Sequence, residues 1–231
     1  MDDRRYLVLG CKPWNRRVFD DVIRRFPGTW TYVGRREDLT PACVNKLAPR
    51  CLFFLHWSWI VPVAIVDHHE CVCFHMTDVP YGRGGSPLQN LILRGHRETQ
   101  LTALRMTRQL DAGPVYLKET LSLSGSAEAI LTRATHLSAD MMLRIVTERP
   151  AAVDQSGEPV VFERRRPEQS RLPHVEDLDR LYDFIRMLDA DGYPHAFLEH
   201  DGCRFEFRRA ERCDGRVEAA VTITTGSGSD A

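Results

Sequence analysis

The chain has 231 residues, 43% of them hydrophobic and 27% charged, enough for one generous domain or for a domain of roughly 150 residues with a small appendage. Its 31 basic side chains are matched by 32 acidic ones, a formal charge of -1, which offers no overall attraction for nucleic acid or an anionic membrane. No run approaches the roughly 18 apolar residues of a membrane span, and the opening MDDRRYLVLG lacks the apolar stretch of a secretory signal, so a cytoplasmic protein is expected.

Seven cysteines stand at 11, 43, 51, 71, 73, 203 and 213. Their number is odd and no C-x-x-C pair is present, so reduced thiols and no metal are expected.

Arg5 to Gly10 is a short apolar run closed by glycine, and Val18, Val22, Ile23 and Phe26 then recur at helical spacing. A strand followed by a helix over 14–26 is expected. Thr29 to Val33 predicts a second strand. Thr40 to Leu47 predicts a helix capped by Thr40 with Pro41 in its first position, and Arg50 to Leu55 a buried third strand. This alternation implies a parallel sheet. Beyond a loop with Trp57, Trp59 and Pro62, Glu70 to His75 predicts another strand, Tyr81 to Ser86 a glycine-rich turn and Pro87 to Leu93 a helix. Thr99 to Arg108 and Pro114 to Leu121 are expected as strands flanking Asp111, and Ser126 to Thr147 as a long helix that closes the domain.

From Gln155 to Pro173 the chain turns polar and proline-bearing, as a linker or extended arm does. A helix over Leu178 to Leu188 and a hairpin of Ala196 to His200 with Arg204 to Arg208 about Asp201-Gly202 are expected next. Arg216 to Ile223 then predicts a last strand, and GSGSDA a disordered tail. The expected division is 1–154, 155–225 and the tail 226–231. Arg164, Arg165 and Arg166 suit a solvated arm, with contact to an anionic acceptor as the alternative.

Ligand sites in open α/β sheets lie in the crevice beyond the carboxyl ends of the strands. That points to Phe74 to Ile92 (FHMTDVPYGRGGSPLQNLI) and to Leu110 to Tyr116 (LDAGPVY). A lone histidine at a strand end is commonly structural, and an aspartate before Ala112-Gly113 is commonly a turn former. The joint pattern is more specific. His75, Pro80, Arg83, Gly84, Pro87, Gln89, Leu110, Asp111 and Gly113 stand in an order and at separations that resemble the formyltransferases using N10-formyltetrahydrofolate.

The resemblance implies a Rossmann-like α/β domain with a mostly parallel twisted sheet and a small C-terminal α+β appendage. It also implies an enzyme that moves a formyl group from the folate to a primary amine. Such chemistry needs a group to take the amine's proton and return one to the leaving nitrogen, and donors for the tetrahedral oxyanion. The resemblance assigns proton transfer to His75 and its orientation to Asp111. It places the folate pterin against Trp59, Ile60 and Val61, with Leu104, Met106 and Asp111 beside it, and the acceptor against Met76, Thr77, Arg83 and Gly84; packing of Trp57 or Trp59 under the loop, core side chains at Leu104 and Met106, and a tight turn at Arg83-Gly84 are the alternatives. Two residues before the histidine the family carries an asparagine whose amide donates to the formyl oxygen. Here that position is Cys73, a weak donor. Three accounts stay open: His75 and backbone N-H groups suffice, Asn90 or His56 replaces the amide, or the protein is a slow or altered member. A cysteine nucleophile carrying formyl as a thioester is the chemical alternative.

Residues 171 to 231 hold 8 basic and 13 acidic side chains, a formal charge of -5. The resemblance extends to methionyl-tRNA formyltransferases in the catalytic half, but their larger, basic C-terminal barrel is not expected here, and an acidic region argues against a tRNA acceptor. Leu181 to Ala210 resembles the short helix and strands that come after the catalytic domain in the small amino-sugar N-formyltransferases; packing on the helix face is the expected role of Arg186 and Tyr193, with contact to the acceptor as the alternative. A small-molecule amine, foremost a nucleotide-linked amino sugar, is therefore the expected partner, and a homodimer is possible. An amino-acid or natural-product amine, glycinamide ribonucleotide, and a folate binder without activity are the alternatives.

Overall fold

The computed structural model describes residues 4–175 and 177–225, so the expected disordered tail lies outside the described residues. The strands are β1 (Arg5–Gly10), β2 (Thr29–Val33), β3 (Cys51–Leu55), β4 (Cys71–His75), β5 (Tyr81–Gly84), β6 (Glu98–Arg105), β7 (Val115–Ser122), β8 (Val160–Phe162), β9 (Ala196–His200), β10 (Cys203–Cys213) and β11 (Arg216–Thr225). The helices are α1 (Pro13–Asp21), α2 (Pro41–Leu47), α3 (Val63–His68), α4 (Pro87–Leu93), α5 (Ala127–Glu148) and α6 (Leu178–Arg186).

Six strands form the central sheet in the order β2-β1-β3-β4-β6-β7. The first four run parallel, and β6 lies antiparallel to β4 with His75 opposite Thr102 and Cys73 opposite Leu104. All five residues of β3 and the last five of β1 are buried, because a central parallel strand is covered on both faces. Leu7, Leu9, Leu52, Phe54 and Cys71 point to one side, where Val44 of α2, Val61 and Ile65 of α3 complete a core cluster. The alternate residues Phe53 and Phe74 stack at 6.3 Å, and Asn15 of α1, fully buried, donates to Thr135 of α5 at 3.1 Å. The Thr40 hydroxyl accepts the Cys43 N-H at 3.1 Å, which is the cap expected for α2.

Two short elements depart from the expected pattern. The segment after Pro62 is helix α3; six residues offer too few turns for a periodicity to show, though Ile65 is fully buried. Part of the expected glycine turn is a strand, β5, which pairs in parallel with β8, a three-residue piece of the expected linker anchored by buried Phe162. Such strands fall below the length at which alternation is recognisable.

The chain divides into two compact units. The first comprises the described residues of Met1–Gly84, Thr99–Leu121 and Leu131–Phe162, and the second those of Gly85–Glu98, Ser122–Ile130 and Glu163–Ala231. The division interleaves in sequence, where a single cut at 154/155 is the expectation. Among the described residues no helix is long and apolar enough to cross a membrane, and no group of three or more His, Cys, Asp or Glu is placed to hold a metal ion.

In the second unit a three-stranded sheet, β11-β10-β9, accompanies α4 and α6. Arg165 is half-buried with its guanidinium 5.8 Å from the Phe184 ring centre, whereas Arg164 and Arg166 are exposed. Arg186 is 2% exposed. Its guanidinium donates to the carbonyls of Leu123 at 2.6 Å and Gly125 at 2.8 Å and to Asp183 at 2.7 Å. A buried cation held this way is structural, and its contacts account for it without an acceptor. Replacing Arg186 by Met leaves those two carbonyls without their donor and the Asp183 carboxylate with Arg97 alone, at 3.3 Å, so a stability loss of about 1–3 kcal/mol is expected in a urea titration. A loss below about 1 kcal/mol would show that water readily replaces the guanidinium.

Candidate active site

His75 ends β4 at the carboxyl edge of the parallel strands and is 8% exposed. Its Nε2 lies 2.8 Å from the Gly82 carbonyl, so this nitrogen carries a proton and donates. Its Nδ1 lies 3.6 Å from Asp111 Oδ2, with both side chains only 10% exposed. That separation is too long for a hydrogen bond but close enough for a carboxylate to balance an imidazolium.

Asp111 takes the left-handed backbone conformation, φ 52°, in the loop between β6 and β7. The Gly84 N-H donates to its Oδ2 at 2.9 Å. Gly84 itself has φ 103°, and a Cβ there would come within 2.5 Å of the Phe162 carbonyl oxygen. Both the conformation and the contact with β8 therefore demand glycine. The two sequence motifs thus meet at one carboxylate, which joins Gly84 to His75.

Cys73 lies two residues before His75 and so shares its face of β4. Burial, and after it the charge of Asp111, push its thiol far above the ordinary cysteine range. The raised value favours the protonated thiol near neutrality, which counts against the thioester route although Cys73 is only partly buried.

The two side chains weighed as replacement donors differ in their surroundings. The Asn90 amide nitrogen donates to the carbonyls of Gly85, Ser86 and Glu163. The His56 ring sits edge-on to Trp14 of α1 and, with Phe74, Met76, Thr135 and Ser138, lines a small cavity on the α5 side of the sheet. Burial drives its pKa down to about 4, so it stays neutral there.

Of the expected folate contacts, Val61 belongs to the core cluster and Ile60 is 83% exposed. The Trp59 ring meets Trp57 at 4.9 Å, and Trp57 in turn meets Phe54 at 6.2 Å, so the two indoles brace the loop after β3. Leu104 is fully buried, and Met106 packs against the core while its N-H donates to the Cys71 carbonyl. On the acceptor side, Met76 and Thr77 are buried as well. The Thr77 hydroxyl donates to Gly82 O, and its own carbonyl accepts from Thr102 at 2.7 Å. Thr77 thus holds the turn that carries Gly82. The guanidinium of Arg83 is engaged by Gln155, whose oxygen accepts from Nε at 3.0 Å and from Nη2 at 2.7 Å. Nothing in the polar stretch that opens at Gln155 signals this role in the sequence.

The protonated state of Cys73 has a direct check. Iodoacetamide at about pH 8 is expected to label Cys73 at least about tenfold more slowly in the native protein than in the unfolded chain. Equal rates by peptide mass spectrometry would remove the assignment.

A family model described as the C-terminal domain of methionyl-tRNA formyltransferase matches residues 167–224. The C-terminal region, expected to differ from that family's, therefore matches a model bearing its name. The methionyl-tRNA formyltransferase of Methylobacterium nodulans is 31% identical over 192 residues, which cover 75% of this chain and 61% of that protein. The chain thus spans less than two thirds of that relative's length. A structure of methionyl-tRNA formyltransferase from Clostridium thermocellum is 39% identical, with a TM-score of 0.91, covering 96% of this chain and 100% of the other. Two more distant structures share the fold. HypX from Aquifex aeolicus in complex with tetrahydrofolic acid is 17% identical with a TM-score of 0.73, covering 89% of this chain and 37% of that one. A sugar N-formyltransferase from a Shewanella species is 15% identical with a TM-score of 0.66, covering 91% and 98%. With a Rossmann-like sheet, the His75-Asp111 pair at its carboxyl edge and 39% identity across the whole of one solved relative, the chain belongs to the formyltransferase family.

Proposed function

We propose that the protein transfers a formyl group from N10-formyltetrahydrofolate to the primary amine of a small acceptor, foremost a nucleotide-linked amino sugar. The observation that carries the reading is the 3.6 Å approach of His75 Nδ1 to Asp111 Oδ2 at the carboxyl end of β4. Because Nε2 is engaged as a donor to Gly82, Nδ1 is the nitrogen left to take a proton. As the amine attacks the formyl carbon, its proton passes to Nδ1 and the imidazolium forms beside a carboxylate already in place. The same proton returns to the folate nitrogen as the tetrahedral intermediate collapses. The folate is the donor substrate, and the exposed Ile60 with the braced Trp59 offers an apolar and aromatic surface suited to a pterin.

A small acceptor is favoured by the formal charge of -5 over residues 171 to 231, which repels the phosphates of a tRNA. The fold shared with a sugar N-formyltransferase along nearly its whole length is consistent with it. Methionyl-tRNA is the second reading, because the 39% identical structure and the model matching residues 167–224 both carry that name.

Tetrahydrofolate release with nucleotide-linked amino sugars, amino acids, glycinamide ribonucleotide and methionyl-tRNA as acceptors discriminates them. Turnover on an amino sugar is expected, turnover on the tRNA alone would establish the second reading, and donor binding without turnover on any amine would point to a binder. On the active acceptor, His75→Ala and Asp111→Asn are each expected to lower kcat by about 10²–10⁴-fold, and full activity in either would remove its role. Cys73→Asn is expected to preserve or raise kcat, since an amide donates where a thiol barely does. A large loss would give the thiol a role of its own.

A further inference from the structure

The loop that carries Asp111 is largely open to solvent, with Leu110 62% exposed and Asp111 itself at a positive φ. A non-glycine residue in that conformation persists only where its surroundings hold it. Gln155 supplies the hold. Its amide nitrogen donates to the carbonyls of Asp111 at 2.9 Å and Gly113 at 2.8 Å, while its oxygen accepts both hydrogen bonds from Arg83. The orientation of the amide is fixed by chemistry, because a guanidinium has only donors and a peptide carbonyl only accepts. Gln155 is itself anchored two residues earlier, where Val153 and Val115 exchange backbone hydrogen bonds of 2.8 and 2.9 Å. Arg83 stands between Gly82, which accepts from His75, and Gly84, which donates to Asp111.

We propose that Gln155 is the positioning residue of this site: one amide clamps the Asp111 loop to the β5 turn and so sets the Asp111 carboxylate against His75. The assignment rests on the formyltransferase reading for its kinetic consequence, though not for its geometry. An amide is required. Glutamate keeps the Arg83 contact but has no proton for the two carbonyls, and leucine keeps neither.

The test compares wild type, Gln155→Leu and Gln155→Glu in the full chain, each also in the Asp111→Asn background. Because a displacement of about 1 Å at a reacting group costs about 10²-fold, Gln155→Leu is expected to lower kcat by about 10- to 100-fold while the KM for the folate changes little. Gln155→Glu, which keeps an acceptor for Arg83 and so secures a folded variant, is expected to lose most of the same activity. If Gln155 acts through Asp111, neither substitution lowers kcat further in the Asp111→Asn background. Equal losses in both backgrounds would overturn the proposal. A second readout needs no turnover: hydrogen exchange at the Gly84 amide, the donor to Asp111, is expected to quicken in both Gln155 variants while the core amides of β3 stay protected. Unchanged Gly84 protection would overturn the proposal even if no amine proved to be a substrate, and quickened exchange in an inactive protein would leave the clamp standing while removing formyl transfer.

Discussion

A nearly buried carboxylate governs the architecture of the site. Asp111 has lost most of its water, with 10% of its side chain exposed, and must find its compensation within the protein. It does so through the Gly84 amide and the adjacent His75 ring, which draws β4, β5 and the loop between β6 and β7 to one point. Glycine at 84 is a consequence of this arrangement, since a side chain there would run into β8 as the amide turned toward the carboxylate. Thr77 is another, because its buried hydroxyl keeps Gly82 O where His75 needs an acceptor.

Several elements were legible in the sequence for reasons the structure makes plain. β1 and β3 are buried on both faces and therefore appear as unbroken apolar runs, and α2 announces itself by a threonine cap and a proline in its first turn. His75 and Asp111 were legible only as a pair within a motif; each alone has a commoner structural explanation. Gln155 was not legible, because its role depends on a brace 44 residues away in sequence and its neighbours resemble those of any solvated linker. For the same reason β8 was lost: three residues pairing with a partner from another part of the chain leave no periodic trace.

Cys73 sets the limit on how the chemistry is completed. Removing one oxyanion donor from an acyl-transfer site costs about 2.7–4 kcal/mol. A protonated thiol recovers little of that, the Asn90 amide is committed elsewhere, and the His56 ring packs against Trp14 on the α5 side of the sheet. Of the three accounts, replacement by Asn90 loses its donor to Gly85, Ser86 and Glu163, which leaves most weight on His75 with backbone N-H groups or on a slower reaction. In the proposed reaction the His75 imidazolium beside Asp111 would be the cation for the first.

The pairing of β8 with β5 also bears on how this protein is to be dissected. A shortened version ending at residue 154, where hydrophilic composition begins, would discard Gln155 and the strand that lines Gly84 while keeping every motif residue from His75 to Asp111. Such a fragment would retain the signature of the reaction without the apparatus that aligns it. For this chain, the shortest piece worth expressing for catalysis extends past Phe162.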